Sequence, residues 1–104
     1  VKHVPGSFEL PLGAKWMLEK TRVDAVICIG CIIQGETRHF DFISQSVADG
    51  VMKVGLEHSK PVIFSVLTCN NMFQAEDRAG GKHGNKGVEG AVSALKMLDL
   101  LRHL

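Results

Sequence analysis

The sequence predicts an α/β fold in which helices cover a parallel sheet. Two short runs of apolar and largely β-branched residues, Ala25–Ile29 and Val62–Leu67, are predicted to be strands. Both runs are continuously apolar, which is typical of strands buried on both faces of a parallel sheet. Helical patterns alternate with these strands along the chain, and this alternation is characteristic of α/β proteins.

Three helices are predicted from apolar residues at helical spacing. The first is Leu10–Lys20, in which Pro11 is tolerated because it falls in the first turn. The second covers residues 41–58 and the third residues 86–101, each with an apolar stripe along one side. Residues 79–86, between Arg78 and Gly87, are rich in glycine and are predicted to form a loop.

Length and composition exclude several classes of protein. The 104 residues are enough for one domain, which we take to span residues 1–104. Twelve Lys and Arg against eleven Asp and Glu leave a net charge of +1. A concentrated basic face is therefore not expected, and neither nucleic acid nor a membrane surface is an expected partner. No apolar run approaches the roughly 18 residues of a membrane span.

The N-terminal residues and the cysteines bear on location. The segment Val1–Pro5 lacks the charged and apolar regions of a signal or transit peptide, so no leader is expected there. Three cysteines without a framework spacing fit a reducing compartment better than a secreted protein held by disulfides. The sequence therefore predicts a cytoplasmic protein.

The carboxyl ends of the predicted strands are the expected binding region, because open parallel sheets bind ligands there. After the first strand, residues 30–39 are predicted to form a glycine-containing turn that leads into a helix. Backbone N–H groups in such a turn bind anions, and Thr37 adds a hydroxyl. His39 would lie beside the anion, where a histidine can take and give a proton near neutral pH. A plain surface turn that caps the helix explains the same residues equally well.

Three further side chains have both a structural and a functional interpretation. Arg78 follows a short helical stretch, where a guanidinium could bind phosphate with two hydrogen bonds. An arginine at the C-terminal end of a helix more often simply interacts favourably with the helix dipole. Phe8 and Phe64 could stack on a planar heterocycle, although the usual role of phenylalanine is in the core.

Neither the cysteines nor the histidines form a convincing motif. Cys28 and Cys31 have C-x-x-C spacing, but Cys28 lies within a strand pattern, whereas the redox motif begins a helix. We interpret both as small buried apolar residues. The five histidines lack the spacing of metal ligands, so no metal is expected.

Five segments together resemble the lumazine synthase family in order and spacing: Val4–Pro11, Gly30–Asp41, Pro61–Thr68, Gln74–Gly80 and Gly84–Glu89. The resemblance implies a flavodoxin-like, three-layer α/β/α sandwich around a parallel sheet. It also implies a transferase that condenses 5-amino-6-(ribitylamino)pyrimidine-2,4-dione with 3,4-dihydroxy-2-butanone 4-phosphate. The products would be 6,7-dimethyl-8-ribityllumazine, phosphate and water, in the penultimate step of riboflavin biosynthesis, without a metal or organic cofactor.

The resemblance also implies roles for particular residues. Backbone N–H groups of Glu36 and Thr37 would cradle the phosphate, and Arg78 would clamp it. His39 would transfer protons, with Lys86 close by. The remaining residues would bind the pyrimidine and its ribityl chain, with Phe64 contributed by a neighbouring subunit: Ser7, Phe8, Glu9, Cys31, Ile32, Ile33 and Phe64.

Assembly is likewise inferred from the resemblance. A shared site implies a homo-pentamer as the smallest active unit. The short glycine-rich loop resembles that of members that build icosahedral shells, so a shell is expected, with riboflavin synthase as a candidate partner. Two alternative functions remain open at this point: a non-catalytic flavin- or lumazine-binding shell protein, and the related small pentameric riboflavin synthase.

The sequence departs from the family pattern in several places. Gln34 stands where a basic residue is frequent, Ser65 where glycine is frequent, and Met72–Phe73 replaces a more acidic pair. The family's first strand and first helix have no counterpart in the chain. That strand would lie between a strand ending near Val4 and the strand Ala25–Ile29. Its absence would leave a gap of roughly 10 Å, which no direct hydrogen bond can span. We therefore expect these residues not to fold in that arrangement alone.

Overall fold

The computed structural model covers residues 1–104 and has the predicted alternation of helices and strands. The three predicted helices are all present, and the first matches the prediction at both ends. The elements follow a short 3-10 turn at Ser7–Glu9 and are, in order, α1 Leu10–Lys20, β1 Val26–Ile33, α2 His39–His58, β2 Val62–Cys69, α3 Met72–Arg78, β3 Ala79–Gly81, β4 Gly84–Asn85 and α4 Lys86–Arg102.

Strands β1 and β2 form a parallel pair, which confirms the predicted sheet type. The pairing runs without a break from Val26 opposite Val62 to Ile33 opposite Cys69. The other edge of β1 has no strand partner, because the parallel sheet consists of these two strands. Lys2–Val4, expected to end a strand, is not in a strand. Two cavities, of about 230 and 370 Å³, are lined by both Lys2–Val4 and β1.

Helices lie on both faces of this sheet. On one face, alternate residues of β1 pack against α1 and α2. On the other face α4 approaches β2 so closely that a Cβ at Gly90 would overlap the Ser65 hydroxyl. The result is the three-layer α/β/α arrangement of the flavodoxin-like class. The core between the sheet and the first two helices is Ala14, Leu18, Val26, Cys28, Ile32, Val47, Val51, Val54 and Val66.

Three details differ from the sequence prediction. Strand β1 continues to Ile33 because residues from Gly30 onward pair with β2, so the predicted turn begins later. Burial of β1 on both faces was predicted wrongly. Ile29 is 66% exposed and Ile27 36% exposed, since α4 packs mainly over β2. Helix α2 begins at His39 rather than Asp41.

The predicted loop at residues 79–86 is in fact a tight antiparallel hairpin. Ala79 pairs with Asn85, and Gly81 with Gly84. Gly80 and Gly84 have φ values of 112° and 95°, which residues with a Cβ rarely adopt. The glycines therefore allow the chain to reverse between α3 and α4. No helix of the protein has both the length and the apolarity needed to cross a bilayer.

Candidate active site

A cavity of about 300 Å³ lies at the carboxyl end of β2 and brings several cations together. Arg78 and Lys86, which the sequence places eight positions apart, share this cavity because the hairpin folds the start of α4 back beside the end of α3. The full lining is Val66, Leu67, Thr68, Cys69, Arg78, His83, Lys86 and Glu89. Such a mixture of cationic side chains and a hydroxyl can bind a phosphate group.

Short-range hydrogen bonds hold α3 and Arg78 in place. The Asn71 side chain caps α3 by accepting from the Gln74 N–H at 2.9 Å. The Gln74 side chain in turn accepts from the Asn70 N–H at 2.8 Å. One guanidinium nitrogen of Arg78 donates to the Gln74 carbonyl at 3.1 Å, and the other two remain available to a ligand. Arg78 does end a helix, as predicted, and its position also allows the functional interpretation.

Lys86 is fixed by its helix and by the sheet. Asn85 caps α4 through its side-chain oxygen, which accepts from the N–H groups of Gly87 and Val88 at 3.0 and 3.1 Å. The buried hydroxyl of Ser65 donates to the Lys86 carbonyl at 3.2 Å. Lys86 therefore lies at the positive end of a helix dipole, which adds to the attraction for an anion.

The segment after β1 is more open. His39 is the first residue of α2, and its N–H donates to the Thr37 hydroxyl at 3.3 Å. The N–H groups of Glu36 and Thr37 have no acceptor within the chain, which leaves them available to an anion. All three residues are exposed, and His39 does not line the cavity of Arg78 and Lys86.

The residues assigned to the pyrimidine fall into separate groups. Ser7 lies in the 3-10 turn with Phe8 and Glu9, and lines the 230 Å³ cavity beside Gly30. Cys31, Ile32 and Ile33 occupy the end of β1, where Ile32 is in the core and Cys31 is exposed. Phe64 packs against the core and lines a separate cavity, of about 320 Å³, together with residues of α2.

Comparison with known proteins supplies the family. A family model described as 6,7-dimethyl-8-ribityllumazine synthase matches residues 1–102. The chain belongs to the lumazine synthase family. It is 66% identical over 96 residues to the 6,7-dimethyl-8-ribityllumazine synthase of Cytophaga hutchinsonii, covering 92% of the chain and 60% of that relative.

Two other relatives carry the same name. The chain is 55% identical over 102 residues to the protein of Porphyromonas gingivalis, covering 98% of the chain and 63% of the relative. It is 52% identical over 104 residues to that of Clostridium kluyveri, covering all of the chain and 68% of the relative. The chain thus spans about three fifths of the length of these lumazine synthases.

Two cysteines of this family member, Cys28 and Cys31, have raised thiol pKa values, which disfavours the reactive thiolate. All three are free thiols. Burial raises the pKa of Cys28 to about 11, which keeps the thiol protonated and weakly nucleophilic. Desolvation, and secondarily the neighbouring Cys69, raises the pKa of Cys31. The expectation of burial is confirmed for Cys28 but wrong for Cys31, whose side of β1 is left uncovered. No group of three metal-binding side chains occurs in the structure.

Three polar residues of the cation-lined cavity received no role from the sequence: Thr68, His83 and Glu89. Thr68 directly follows the second predicted strand, at the edge where open parallel sheets bind ligands, but its residue type alone indicated no role. His83 was considered only as a metal ligand. Glu89 had no signal in the sequence, because its approach to the cavity depends on how α4 packs against β2.

Proposed function

We propose that the chain carries the active site of a 6,7-dimethyl-8-ribityllumazine synthase. It would condense 5-amino-6-(ribitylamino)pyrimidine-2,4-dione with 3,4-dihydroxy-2-butanone 4-phosphate and release phosphate and water. The observation that carries the proposal is the cavity that Arg78 and Lys86 share at the carboxyl edge of β2. A substrate that is phosphorylated, and that loses its phosphate during the reaction, needs such a cluster of cations. The match to the family gives the chemistry that would use it.

The chemistry requires positioning and proton transfer. The 5-amino group of the pyrimidine adds to the ketone carbonyl, and loss of water gives an imine. The C3 proton and the phosphate on C4 are then lost, which gives an enol that tautomerises to a new ketone at C3. The ribitylamino nitrogen attacks this ketone and closes the ring with loss of a second water. Holding both substrates in contact can supply much of the acceleration, since effective molarities reach about 10⁵–10⁸ M.

Individual residues would act at the two ends of the site. His39 would move protons between the amine, the carbonyl oxygen and the carbon that loses phosphate. Arg78 and Lys86 would neutralise the phosphate as it leaves, with the N–H groups of Glu36 and Thr37 as further donors. The pyrimidine end would be formed by Ser7, Phe8, Glu9, Cys31, Ile32, Ile33 and Phe64.

The site would be shared between subunits of a homo-pentamer. In one chain Phe64 and Arg78 line different cavities, which favours a site in which Phe64 comes from a neighbouring copy. Large apolar side chains such as Phe42, Met52 and Leu56 are also exposed along one helix, α2, as expected for a surface that self-associates. The pentamers would assemble into an icosahedral shell, with riboflavin synthase as a candidate partner. The free cysteines favour the cytoplasm.

The deciding experiment incubates the protein with both substrates and follows the fluorescence of the lumazine product. The proposal expects product only when both substrates are present. Formation of riboflavin from the lumazine alone would instead identify a riboflavin synthase. Tight binding of lumazine or flavin without turnover would identify a non-catalytic shell protein. Light scattering on the same sample would separate a shell from a free pentamer.

A further inference from the structure

Asp77 and His83 form a pair at the junction of α3 and the hairpin. The Nδ1 atom of His83 lies 3.4 Å from a carboxylate oxygen of Asp77. The His83 N–H also donates to the Asp77 carbonyl at 2.8 Å, so the backbone and the side chain of Asp77 both hold the same residue. The Asp77 side chain is 18% exposed, whereas that of His83 is 54% exposed, so the carboxylate faces the protein and the ring faces solvent.

The hairpin cannot easily move away from Asp77. Gly81 packs against α3 so tightly that a Cβ there would lie 2.8 Å from the Asp77 Cα and 2.9 Å from the Glu76 carbonyl oxygen. Gly84, with its positive φ, then returns the chain toward α4. This backbone arrangement fixes the position of His83 between the ends of the two helices that carry Arg78 and Lys86.

His83 shares the 300 Å³ cavity with both of those cations. Because Nδ1 faces the Asp77 carboxylate, the opposite nitrogen, Nε2, is left for a ligand. A carboxylate beside one nitrogen of a histidine orients the ring, as it does for metal-binding and catalytic histidines. Glu89 is the one carboxylate on the cavity wall, which it shares with three basic side chains, those of Arg78, His83 and Lys86.

We propose that His83, oriented by Asp77, is a third side-chain contact to the phosphate, alongside Arg78 and Lys86. The inference rests on the proposed function for the identity of the phosphorylated substrate. In its protonated form, with Nδ1–H toward Asp77, the His83 ring donates from Nε2–H to a phosphate oxygen both in the bound substrate and as the phosphate leaves. Asp77 does not touch the ligand and is a positioning residue.

The test compares His83→Ala, His83→Gln and Asp77→Asn in the full chain. The matched control is His103→Ala. His103 is a similarly exposed histidine whose Nδ1 lies 3.6 Å from Asp99, and it follows the end of α4 that is away from the cavity. Each protein is titrated with inorganic phosphate by calorimetry and assayed with both substrates. Circular dichroism and thermal unfolding verify that every variant is folded.

Removal of the ring is expected to weaken phosphate binding, and to raise KM for the phosphorylated ketone, by about tenfold. KM for the pyrimidine should not change. His83→Gln should recover part of the loss because an amide still donates a hydrogen bond. Asp77→Asn should give a loss of about threefold, with the same split between the two substrates.

The two proposals fail in different ways. If His83→Ala binds phosphate as well as His103→Ala does, the role of His83 is refuted, whether or not lumazine forms. An equal loss of affinity for both substrates would refute it too, since it would show a general structural role. If phosphate binding depends on His83 but no lumazine forms, the anion contact stands and the proposed function fails.

Discussion

The segments that follow the two parallel strands differ in how firmly the chain itself holds them. After β2, the side chains of Asn71, Gln74 and Asn85 all accept backbone hydrogen bonds, and Ser65 ties the start of α4 to the sheet. After β1, residues 34–38 make fewer side-chain hydrogen bonds than the segment after β2. The Thr37 hydroxyl accepts one hydrogen bond, and the Arg38 guanidinium stacks on the exposed Phe42 ring at 5.6 Å.

The difference indicates which half of the proposed site one chain can form. Lys86 begins a helix that Asn85 caps, and Arg78 is held by its hydrogen bond to the Gln74 carbonyl, so a ligand would find both cations already in position. His39 and the N–H groups before it lie on an exposed segment without a wall on its outer side. In the proposed pentamer, a neighbouring copy would supply this wall. Substitutions after β2 should therefore change binding, and those after β1 should change the rate of the reaction.

The largest expected effect is that of His39→Ala on the rate. Loss of the proton-transfer group should lower kcat by about 10²- to 10⁴-fold without abolishing product formation, because positioning is retained. Single-turnover assays at saturating substrates measure this rate. Phosphate affinity, measured in parallel, should be unchanged. A variant with the unmodified rate would show that His39 does not transfer protons in the limiting step.

Arg78→Ala, in contrast to His39→Ala, should weaken substrate binding more than it slows the reaction. KM for the phosphorylated ketone is expected to rise by about 10- to 100-fold, since a hydrogen-bonded charge is lost. Pyrimidine affinity should stay nearly intact. Arg102→Ala is the matched control, because Arg102 is another arginine at a helix end, paired with Asp99 at 2.8 Å. Collapse of pyrimidine binding with normal phosphate binding would reverse the assignment of the two ends.

Close packing of α4 on β2 can be tested with Gly90→Ala. The added methyl group would overlap the Ser65 hydroxyl and lie 3.2 Å from Ile27, so α4 must move outward. We expect a loss of about 1–3 kcal/mol in the free energy of unfolding, measured with urea. Helix propensity alone would predict a gain of about 1 kcal/mol. Adding Ser65→Gly should restore much of the stability, and failure to do so would place the strain elsewhere.

The sequence predicted elements well where local features determine them. Pro11 and apolar spacing defined α1 to the residue. The end of β1 was missed because Gly30 resembles the start of a turn, whereas its pairing with Val66 on another strand keeps it extended. The hairpin at residues 79–85 was missed for a related reason. Glycine allows a positive φ, but contact with α3 decides where it is used.

The candidate site was predicted less completely than the fold. Arg78 was a candidate from its residue type and position, and Lys86 came from the resemblance alone. Their common cavity depends on how α3 and α4 pack against β2. His83 went unassigned because the histidines were compared only with metal-ligand spacing. The informative feature was Asp77 on the preceding helix, and its relevance requires knowing that the hairpin turns back. Side-chain positions that depend on packing between elements cannot be read from spacing.

The cap of α4 provides a smaller test of how the segment after β2 is organised. Asn85→Ala removes the acceptor for two N–H groups and should cost about 1 kcal/mol of stability, measured by urea unfolding. Because Lys86 follows directly, phosphate affinity should also fall slightly. Asn85→Ser keeps a capping oxygen and is expected to preserve most of both. An unchanged urea midpoint in Asn85→Ala would show that the cap does not stabilise this region.

The smallest expected effect concerns His58, a histidine outside the site, and should alter neither of the two segments. His58 ends α2, and its pKa is raised above the ordinary 6.5, first by the hydrogen bond to the Val54 carbonyl and then by Glu19, 3.1 Å away on α1. A raised folded-state pKa means that the protonated ring stabilises the fold. This contribution is fully present below the unfolded pKa and is lost as the pH rises through the folded pKa.

The urea midpoint of the unmodified protein should therefore fall more steeply between about pH 6 and about pH 8 than that of His58→Gln. Glu19→Gln should give an intermediate slope, because the Val54 hydrogen bond remains. Neither variant should change kcat or phosphate affinity, since Glu19 and His58 lie at the ends of α1 and α2 that are away from the carboxyl edge of the sheet. Equal pH slopes in all three proteins would show that the His58 contacts do not contribute to stability. A change in phosphate affinity would show that the segment after β2 is not held independently of the first two helices.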